Sequence, residues 1–558
     1  MSDSARVHGR RGAGDSGLHR SAAWILLVLF AIAWFGGLGY RDLNQPDEGR
    51  YAEIPREMVA SGNWVTPRLD GLKYFEKPPL QYWATAVSYE LFGQSNATAR
   101  LWTALLGFLT VPWVFFLGVR LFDRRTATFA AAITGSCLIW VALGHINTLD
   151  MSVSALLVFG VGALALAQSQ RGHPRRVMGW MLLGWAMLAA ATLTKGLIGL
   201  VLPAGAVVLY TLWQRDWTLW RHLHLVKGLA LLVALTAPWF VLVSRQNPHF
   251  LWFFFVHEHL LRYMTHEAHR YQPWWFFLLL MWVGLLPWVG AGLQAGVRRG
   301  LPWRPQGSRF DSERFFWAYG AFMLAFFSAS DSKLVPYILP MYPLWGLLAG
   351  RQLSRRPGIR ADVGFAVALG AALLAVAATV TRFAKHSLPA HLLFQGRPWL
   401  IAAALALFAG AAAAVWWRAR GPRAALCLAA GALASFQFLN MGYQVLSPMY
   451  SSRDVARAMA PIADKGVPLY SVGEYEQALP FYLKRTLTLV AYQGELSYGI
   501  EREPGKWIPT VSAFVKLWDS QSQALAVMKP GEYKRLEAAG VPMRLIYRDP
   551  RRVAVARR

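Results

Sequence analysis

The chain has 558 residues, of which 55% are hydrophobic, and its formal net charge is +27 at pH 7. Repeated apolar runs of about 17–24 residues match a hydrocarbon core roughly 30 Å thick, so the composition excludes an ordinary soluble enzyme and predicts a multi-pass membrane protein. The basic residues do not predict nucleic-acid binding, because they concentrate in short loops between the apolar runs. In such loops Lys and Arg mark the cytoplasmic face and contact anionic membrane lipids.

The apolar runs predict about thirteen transmembrane helices. An N-terminal tail containing four arginines is expected in the cytoplasm, and the odd number of spans then places the C-terminus outside. The predicted spans are 21–40, 98–121, 126–143, 151–169, 177–193, 196–213, 224–244, 274–296, 313–329, 334–351, 363–382, 399–418 and 422–443. The outer loops are 41–97, 144–150, the Thr194-Lys195 turn, 245–273, 330–333 and 383–398. Cys137 and Cys427 both fall within spans, which leaves no disulfide framework.

The first external loop carries the densest charge. Pro46 precedes Asp47 and predicts that this acid lies at or near a helix N-terminus, because proline favours the first helical positions. A carboxylate held where the chain leaves the membrane is costly to desolvate, so Asp47 is predicted to be functional. Glu48 and Arg50 are predicted to bind substrate beside it.

The remainder of this loop has three further features. Glu53 and Glu57 are expected to form charge pairs on a solvated helix face. Lys77, next to Glu76, precedes two prolines that hold the backbone extended, which favours a cation fixed to bind a lipid phosphate. Ordinary snorkelling of a lysine at the membrane interface is the alternative. The apolar segment Pro79–Phe92 is short and carries an acid, so it predicts a helix lying along the interface rather than a further span.

Asp150 closes the short second external loop, with the sequence GHINTLD. It is the only acidic residue between Asp123 and Asp216. An acid at this position can cap the following helix, and capping is compatible with catalysis. Because it is expected at the same membrane face as Asp47, we predict that Asp150 is the second catalytic acid.

Two more external lysines run against the rule that basic residues stay inside. Lys195 follows Thr194 in a tight turn, and Lys333 lies in the segment SDSKLVPYILP. Tyr337 follows Lys333 by one helical turn and is predicted to share its face. We expect all three side chains to bind substrate at the outer face.

The loop 245–273 contains a histidine-rich stretch, VHEHLLRYMTHEAHR. Its spacing matches no recognised zinc motif, because His-Glu-His places adjacent side chains on different helical faces. A polar loop with titratable histidines is therefore the expected structure. A divalent metal held by His257 and His259 with Glu76 is the alternative that the sequence leaves open.

After Leu446 the composition changes, and residues 447–558 predict an external α/β domain. Helical patterns cover Arg453–Ala463, Glu474–Lys484 and Glu532–Ala539, and strand-like runs cover Val467–Val472, Thr486–Ala491, Ala524–Met528 and Met543–Tyr547. The first helix can be capped by Ser451 or Ser452 and ended by Gly466. Residues 1–446 are then the transmembrane domain. The C-terminal domain contains no phosphate-binding glycine loop.

An acid after the first span, a lone Asp in the second external loop and a soluble C-terminal domain resemble the GT-C glycosyltransferases, and within them the protein O-mannosyltransferase clan. The motifs NQPDEGRYAEIPREM, YFEKPPLQYW, LTKG and SKLVPYILPMYP resemble more specifically the lipid A aminoarabinose transferases of Gram-negative bacteria. The resemblance covers most of the membrane part. The KPPL and KLVPYILP stretches carry the more specific part of it.

That family transfers 4-amino-4-deoxy-L-arabinose from undecaprenyl phosphate to a lipid A phosphate at the periplasmic face of the inner membrane, which gives polymyxin resistance. The resemblance implies that Asp47 and Asp150 are the catalytic-site acids and that Lys77 binds the donor phosphate beside Glu76. It also implies that Lys333 and Tyr337 line the same cavity. We expect a monomer that needs no cofactor.

Two other functions stay open on the sequence alone. A related enzyme could use another polyprenyl-phosphate sugar, as the protein O-mannosyltransferases do. A lipid or sugar transporter is the alternative from another class. Transporters commonly place charged sites near mid-membrane in repeated halves, whereas here the acids cluster at one face and no repeat is visible.

Overall fold

The computed structural model describes residues 24–261, 271–297, 307, 309–385 and 388–557. A helical region is followed by a C-terminal α/β region, and the described chain begins with helix α1 (Trp24–Phe35). The tail arginines on which the predicted orientation rests lie outside the described residues: Arg6, Arg10, Arg11 and Arg20.

Seven helices, some with an adjoining short turn, are long and apolar enough to cross a membrane. They are α4 (Asn96–Leu121), α7 (Leu149–Ser169), α8 (Pro174–Lys195), α11 (Leu225–Gln246), α16 (Arg360–Thr379), α18 (Arg397–Trp416) and α19 (Gly421–Gly442). Each coincides with a predicted span, and the chain is a polytopic helical membrane protein. Helix α7 is the most buried of the seven, because other helices surround it.

The other six predicted spans also contain helices, but these are shorter or broken. They are α1, the pair α5 (Arg124–Ser136) and α6 (Leu138–Leu143), α9 (Ile198–Gln214), the pair α12 (Phe276–Gly284) and α13 (Val289–Val297), α14 (Ser312–Ala329) and α15 (Met341–Arg355). The two breaks face each other, since the Leu138 N–H donates to the carbonyl of Leu286 at 2.9 Å. One N–H freed at the first break is thus satisfied by a carbonyl at the second, as a low-dielectric interior requires.

The loop 41–97, predicted to be external, folds into helix α2 (Asp47–Ser61), a hairpin of β1 (Arg68–Leu69) and β2 (Leu72–Lys73), and helix α3 (Leu80–Phe92). Helix α2 begins directly after Pro46 and ends at Gly62, whose φ of 68° is easy for glycine alone. The predicted interfacial helix is present as α3. It exposes the apolar side chains of Val87, Leu91 and Phe92, which a lipid interface would cover.

The C-terminal region contains one six-stranded sheet with the order β5-β4-β3-β6-β8-β7. The strands are β3 (Leu469–Val472), β4 (Thr488–Val490), β5 (Trp507–Ile508), β6 (Leu525–Met528), β7 (Met543–Arg548) and β8 (Val553–Arg557). Strands β5, β4, β3 and β6 are mutually parallel, and β8 and β7 complete the sheet in antiparallel pairing. Apolar clusters cover both faces of this sheet.

The remaining helices are short or belong to the C-terminal region. The short ones are α10 (Thr218–Arg221), a π-helix (Trp252–Leu261), α17 (Ala390–Gln395) and α20 (Ser447–Tyr450). Those of the α/β region are α21 (Arg453–Ala463), α22 (Leu479–Leu483), α23 (Ser497–Arg502), α24 (Val511–Ser520) and α25 (Pro530–Ala538).

The secondary structure predicted after Leu446 is confirmed in part. Helix α21 has the predicted bounds, and the four predicted strands are present as β3, β4, β6 and β7. The predicted helix Glu474–Lys484 is wrong over its first half, because residues 473–478 form the loop that leaves β3 and packs on the first external loop. Ser452 precedes α21 as predicted, but its hydroxyl donates to Glu476 instead of capping the helix.

Candidate active site

Asp47 is the first residue of α2, and its side chain is 57% exposed. Its carboxylate accepts a hydrogen bond from Nη2 of Arg50 at 3.0 Å, one turn along the helix. The pair is fixed from its far side, since Nη1 of Arg50 lies 3.1 Å from the Tyr74 hydroxyl and 2.7 Å from Oε2 of Glu495 in the C-terminal region. Arg50 thus holds Asp47 in one orientation while leaving the carboxylate accessible.

Lys77 lies where the two prolines Pro78 and Pro79 lead into α3. Its ammonium donates to the carbonyl of Glu76 at 2.7 Å and lies 3.5 Å from Oε2 of Glu258, on the π-helix. The Glu76 carboxylate is 3.9 Å away. The lysine is therefore a positioned cation between two acids rather than a chain extended toward a membrane surface.

Asp150 lies in the first turn of α7, which Thr148 precedes as the capping residue without a side-chain cap. Its carboxylate accepts a hydrogen bond from Nζ of Lys195, the last residue of α8. The same ammonium lies 5.0 Å from the centre of the Tyr337 ring, in a cation–π arrangement. Three predicted site residues, Asp150, Lys195 and Tyr337, are thus in contact with one another through the Lys195 ammonium.

These groups line a single cavity of about 500 Å³. Asp47 and Arg50 come from α2, Lys77 and Glu76 from the extended segment before α3, and Asp150 from α7. One wall is apolar and is supplied by α7, α9, α14 and the segment before α15: Val153, Leu157, Leu197, Ile198, Val201, Leu202, Phe326, Phe327, Leu334, Pro336 and Pro340. Leu197 and Val201 are also exposed on the surface of the helical region. The cavity therefore joins a charged end to an apolar wall that includes exposed side chains.

Glu48 is not among the cavity-lining residues, and its predicted contact with substrate is not supported by its position. Its side chain is 1% exposed and accepts hydrogen bonds from Arg41 at 2.8 Å and from Nε of Arg100 at 2.7 Å. It also accepts from the backbone N–H groups of Asn44 at 3.0 Å and Asn147 at 2.9 Å. Burial opposes ionisation, but the two guanidinium groups outweigh it and lower the pKa of Glu48 to about 2. Glu48 thus links, through buried hydrogen bonds, the loop that carries Asp47 to the loop that carries Asp150.

Lys333 also lies outside the cavity lining. Its buried ammonium donates to the carbonyl of Ser330. The helix begins only at Val335, as a 3-10 turn, so the expectation that Lys333 and Tyr337 share a helix face is wrong. The neighbours of Lys333 at 332 and 334 do line the cavity.

The histidine-rich loop is only partly described. His257 stacks on Phe253, and its Nδ1 lies 3.4 Å from Oε1 of Glu258. The side chains of His259, Glu267, His266 and His269 lie outside the described part. Within the described residues no three His, Cys, Asp or Glu side chains converge as metal ligands. The carboxylate of Glu76, the third residue of that alternative site, lies 3.9 Å from the Lys77 ammonium.

Glu53 and Glu57 are buried, contrary to the expectation of a solvated helix face. They face Asp70 of the β1–β2 turn, and Arg56 is paired with Glu53 at 2.6 Å. The Glu57 carboxylate accepts from the Gly71 N–H at 2.9 Å. Burial, the charge of Glu53 and then that of Asp70 raise the pKa of Glu57 well above its usual range. The C-terminal region covers this cluster, which is why sequence periodicity alone suggests an exposed face.

Three residues important to the geometry carry no strong sequence signal. Tyr51 lines the cavity beside Arg50, and Glu258 pairs with Lys77. Glu495 reaches Arg50 from the C-terminal region, more than four hundred residues along the chain. Of these, only Glu258 could be noticed in the sequence, as an acid within the histidine-rich external loop.

Two family models match this chain, and curated relatives are similar to it over most of its length. The family model described as the aminoarabinose transferase C-terminal domain matches residues 455–557, and that of the dolichyl-phosphate-mannose-protein mannosyltransferases matches residues 21–255. The chain is 34% identical to an undecaprenyl phosphate-alpha-4-amino-4-deoxy-L-arabinose arabinosyl transferase of Erwinia tasmaniensis, over 74% of this chain and 72% of the relative. The corresponding protein of Pseudomonas paraeruginosa is 32% identical over 87% of this chain and 88% of its own.

A solved structure is similar over nearly the whole chain. The crystal structure of ArnT from Cupriavidus metallidurans bound to undecaprenyl phosphate aligns with a TM-score of 0.90 and 36% sequence identity. The alignment covers 96% of this chain and 98% of the other. The likeness therefore includes both the helical region and the C-terminal sheet.

Proposed function

The chain belongs to the family of undecaprenyl phosphate-alpha-4-amino-4-deoxy-L-arabinose arabinosyl transferases, and from this we propose that it moves 4-amino-4-deoxy-L-arabinose from undecaprenyl phosphate to a phosphate group of lipid A. It is a membrane-embedded glycosyltransferase that uses a polyprenyl-phosphate-linked sugar. The observation that carries the proposal is the convergence of Asp47, Lys77 and Asp150, from three separate segments, on one cavity with an apolar wall.

The two ends of the cavity fit the two ends of such a donor. The apolar wall formed by α7, α9 and α14 can accommodate the first isoprene units, and its exposure at Leu197 and Val201 gives the remaining tail a route into the bilayer. At the charged end, Lys77 is positioned to contact the phosphate that links lipid and sugar. A phosphate ligand would compete with Glu76 and Glu258 for this ammonium, so donor binding exchanges one ion pair for another.

The reaction forms a bond between an acceptor phosphate oxygen and C1 of the sugar. The bond between C1 and the donor phosphate oxygen breaks, and undecaprenyl phosphate leaves with the electron pair. That leaving group already carries negative charge, so it needs electrostatic stabilisation more than protonation, and Lys77 supplies it. The acceptor phosphate is also anionic near neutral pH, so this transfer needs little general-base catalysis.

Asp47 and Asp150 then act on the sugar. Both carboxylates line the cavity, and each is held by a cation, Arg50 for Asp47 and Lys195 for Asp150. We assign to them the binding of the sugar ammonium and the stabilisation of positive charge that develops at C1. Glu76 and Tyr337 line the same cavity and complete the sugar-binding wall.

The cellular setting is part of the same proposal. Lipid A as the acceptor requires the cavity to face the periplasm from the inner membrane, with the N-terminus in the cytoplasm. The external loops carry the site residues, and the basic loops between α4 and α5 and between α7 and α8 lie at the other ends of those helices. We propose that the enzyme acts as a monomer and, because Lys77 stabilises the leaving phosphate, without a metal.

Mass spectrometry of lipid A tests this function. The gene would be expressed in a Gram-negative strain that lacks its own aminoarabinose transferase but still makes the donor, and polymyxin resistance would be measured in parallel. We expect a pentosamine mass increment on lipid A that is absent with Asp47→Asn. An unmodified lipid A, with the protein folded in the membrane and the donor present, would contradict the assignment of this sugar and acceptor.

A further inference from the structure

The C-terminal sheet has a strand order with a known functional consequence. Its parallel strands lie in the order β5-β4-β3-β6, so β3 and β4 are neighbours and their carboxyl ends lie at the same edge of the sheet. In α/β domains the loops at the carboxyl ends of parallel strands commonly carry the functional contacts. The loops that leave β3 and β4 at this edge are residues 473–478 and 491–496.

In this protein the edge is in contact with the first turns of α2, the helix that begins with Asp47. Gln45 donates to Glu476 at 2.6 Å, from the loop after β3. Arg50 is paired with Glu495 at 2.7 Å, from the loop after β4. The start of α2 thus packs on the loops that leave the neighbouring strands β3 and β4, and the two contacts flank Asp47 in the sequence.

Gly49, between these two contacts, sets how closely the surfaces approach. A Cβ atom at this position would lie 2.6 Å from the backbone nitrogen and 2.8 Å from the Cα of Ala478. The first distance is about 0.8 Å short of the 3.4 Å at which ordinary contact starts. The opposing atoms are backbone and cannot rotate away, so only glycine allows this approach without moving α2.

Glu495 contributes a charge that responds to pH. Burial raises its pKa to about 7, with Arg50 opposing and with Glu76 and Asp47 adding to the rise. Gln477 from the loop after β3 also donates to it. The groups that face Glu495 are therefore these four side chains, together with the hydroxyl groups of Tyr74, Tyr82, Tyr475 and Tyr492.

We propose that the carboxyl edge of the C-terminal sheet is a positioning surface for the catalytic helix α2, with Gly49 and Glu495 as its positioning residues. The surface fixes Arg50 and, through it, the carboxylate of Asp47. The inference rests on the proposed function, because its effect on rate is defined by the transfer reaction. It assigns to the C-terminal domain an indirect part in catalysis, which acts through Arg50 and Asp47.

The first test is Gly49→Ala in the full-length enzyme, reconstituted with donor and lipid A. A displacement of α2 by about 1 Å is expected to lower kcat by roughly a hundredfold, since small misplacements of reacting groups have effects of this size. Binding of undecaprenyl phosphate should stay within about twofold of the wild type, because Lys77 and the apolar wall are untouched. Gly179→Ala is the matched control, as this glycine lies in the helix α8 with open space around it.

The second test is Glu495→Gln, which keeps the side-chain shape and removes the charge. In the wild type, kcat should rise as the pH increases through about 7, where Glu495 ionises and pairs with Arg50. In Glu495→Gln this rise should disappear and kcat should stay low at every pH. Glu495→Asp keeps the carboxylate and should show part of the wild-type rise in kcat. A variant with the wild-type kcat and pH profile would overturn the proposal.

Amide hydrogen exchange supplies a readout that does not depend on transfer. Both Gly49→Ala and Glu495→Gln should speed exchange in residues 47–52 while leaving the exchange of α7 unchanged. Unchanged exchange at 47–52 in both variants would refute the positioning surface, whatever the activity. Absence of pentosamine transfer by the wild type, together with faster exchange in the variants, would instead remove the proposed function and keep the surface.

Discussion

Adjacent acids in the motif PDEGR are expected to respond in opposite ways to loss of charge. Asp47 is exposed and lines the cavity, whereas Glu48 is buried between Arg41 and Arg100. Asp47→Asn should abolish transfer and leave the protein as stable as the wild type. Glu48→Gln should unfold the protein more readily, because it leaves two buried guanidinium groups without a counter-charge and turns an amide NH₂ toward one of them.

The size of the Glu48 effect follows from its burial. Breaking a buried ion pair by removing one partner costs about 3–5 kcal/mol. The N–H groups of Asn44 and Asn147 donate to different oxygens of Glu48, so the single carbonyl oxygen of glutamine can keep only one of these two hydrogen bonds. The stabilisation should persist in acid. The pKa of Glu48 is lowered to about 2 in the folded protein. Its contribution to stability is therefore complete above the ordinary glutamate pKa and is lost as the pH falls from there through about 2.

The assay is thermal unfolding of the purified protein in detergent, together with transfer activity at a temperature where each variant is folded. Glu48→Gln should have a clearly lower Tm than Asp47→Asn, and its residual activity should exceed that of Asp47→Asn at low temperature. Equal Tm values for the two variants would refute the structural role of Glu48. Full activity of Asp47→Asn would remove Asp47 from the mechanism.

Three further outcomes test the electrostatics of the chain. Lys77→Ala should lower transfer by about 10²–10³-fold in the reconstituted assay, the usual effect of losing one transition-state charge partner, with Tm unchanged. EDTA should leave the rate of transfer unaltered, and a loss that Mn²⁺ or Zn²⁺ restores would instead favour a metal site. Because burial, Glu53 and Asp70 raise the pKa of Glu57, the contribution of this residue to stability should be greatest in acid and be lost as the pH rises. Between about pH 5 and about pH 9, the Tm of Glu57→Gln should therefore fall by less than the Tm of the wild type. An equal fall in Tm for the two proteins would contradict the raised pKa of Glu57.

The membrane helices could be predicted because their signal is local. An apolar run long enough to cross a bilayer is visible within one window, and all thirteen predicted ranges contain helix. The breaks between α5 and α6 and between α12 and α13 could not be predicted. They depend on a hydrogen bond from Leu138 to Leu286, between residues far apart in the sequence. Strands β5 and β8 were missed for the same reason, since pairing partners define them.

The site shows the same division between local and long-range information. Three site residues can be identified from the sequence: Asp47, Lys77 and Asp150. A charge at a membrane edge is unusual whatever the direction of its side chain. The structural role of Glu48 depends on Arg100, fifty-two positions away. In the sequence Glu48 looks the same as Asp47, because both are acids that follow the first apolar run. Glu495 lies outside the motifs that the sequence analysis identifies, and only the fold brings it to Arg50.

The charged end of the cavity pairs acids and bases in alternation. Asp47 contacts Arg50, Asp150 contacts Lys195, and Lys77 lies beside Glu76. A cavity lined with one sign of charge would bind either the ammonium or the phosphate of the donor tightly and repel the other. An alternating lining can exchange its own ion pairs for those of a substrate that carries both charges, so that neither group loses its solvation without a replacement. This arrangement favours a zwitterionic amino-sugar phosphate over a neutral sugar donor, because a neutral sugar would leave one carboxylate desolvated beside it.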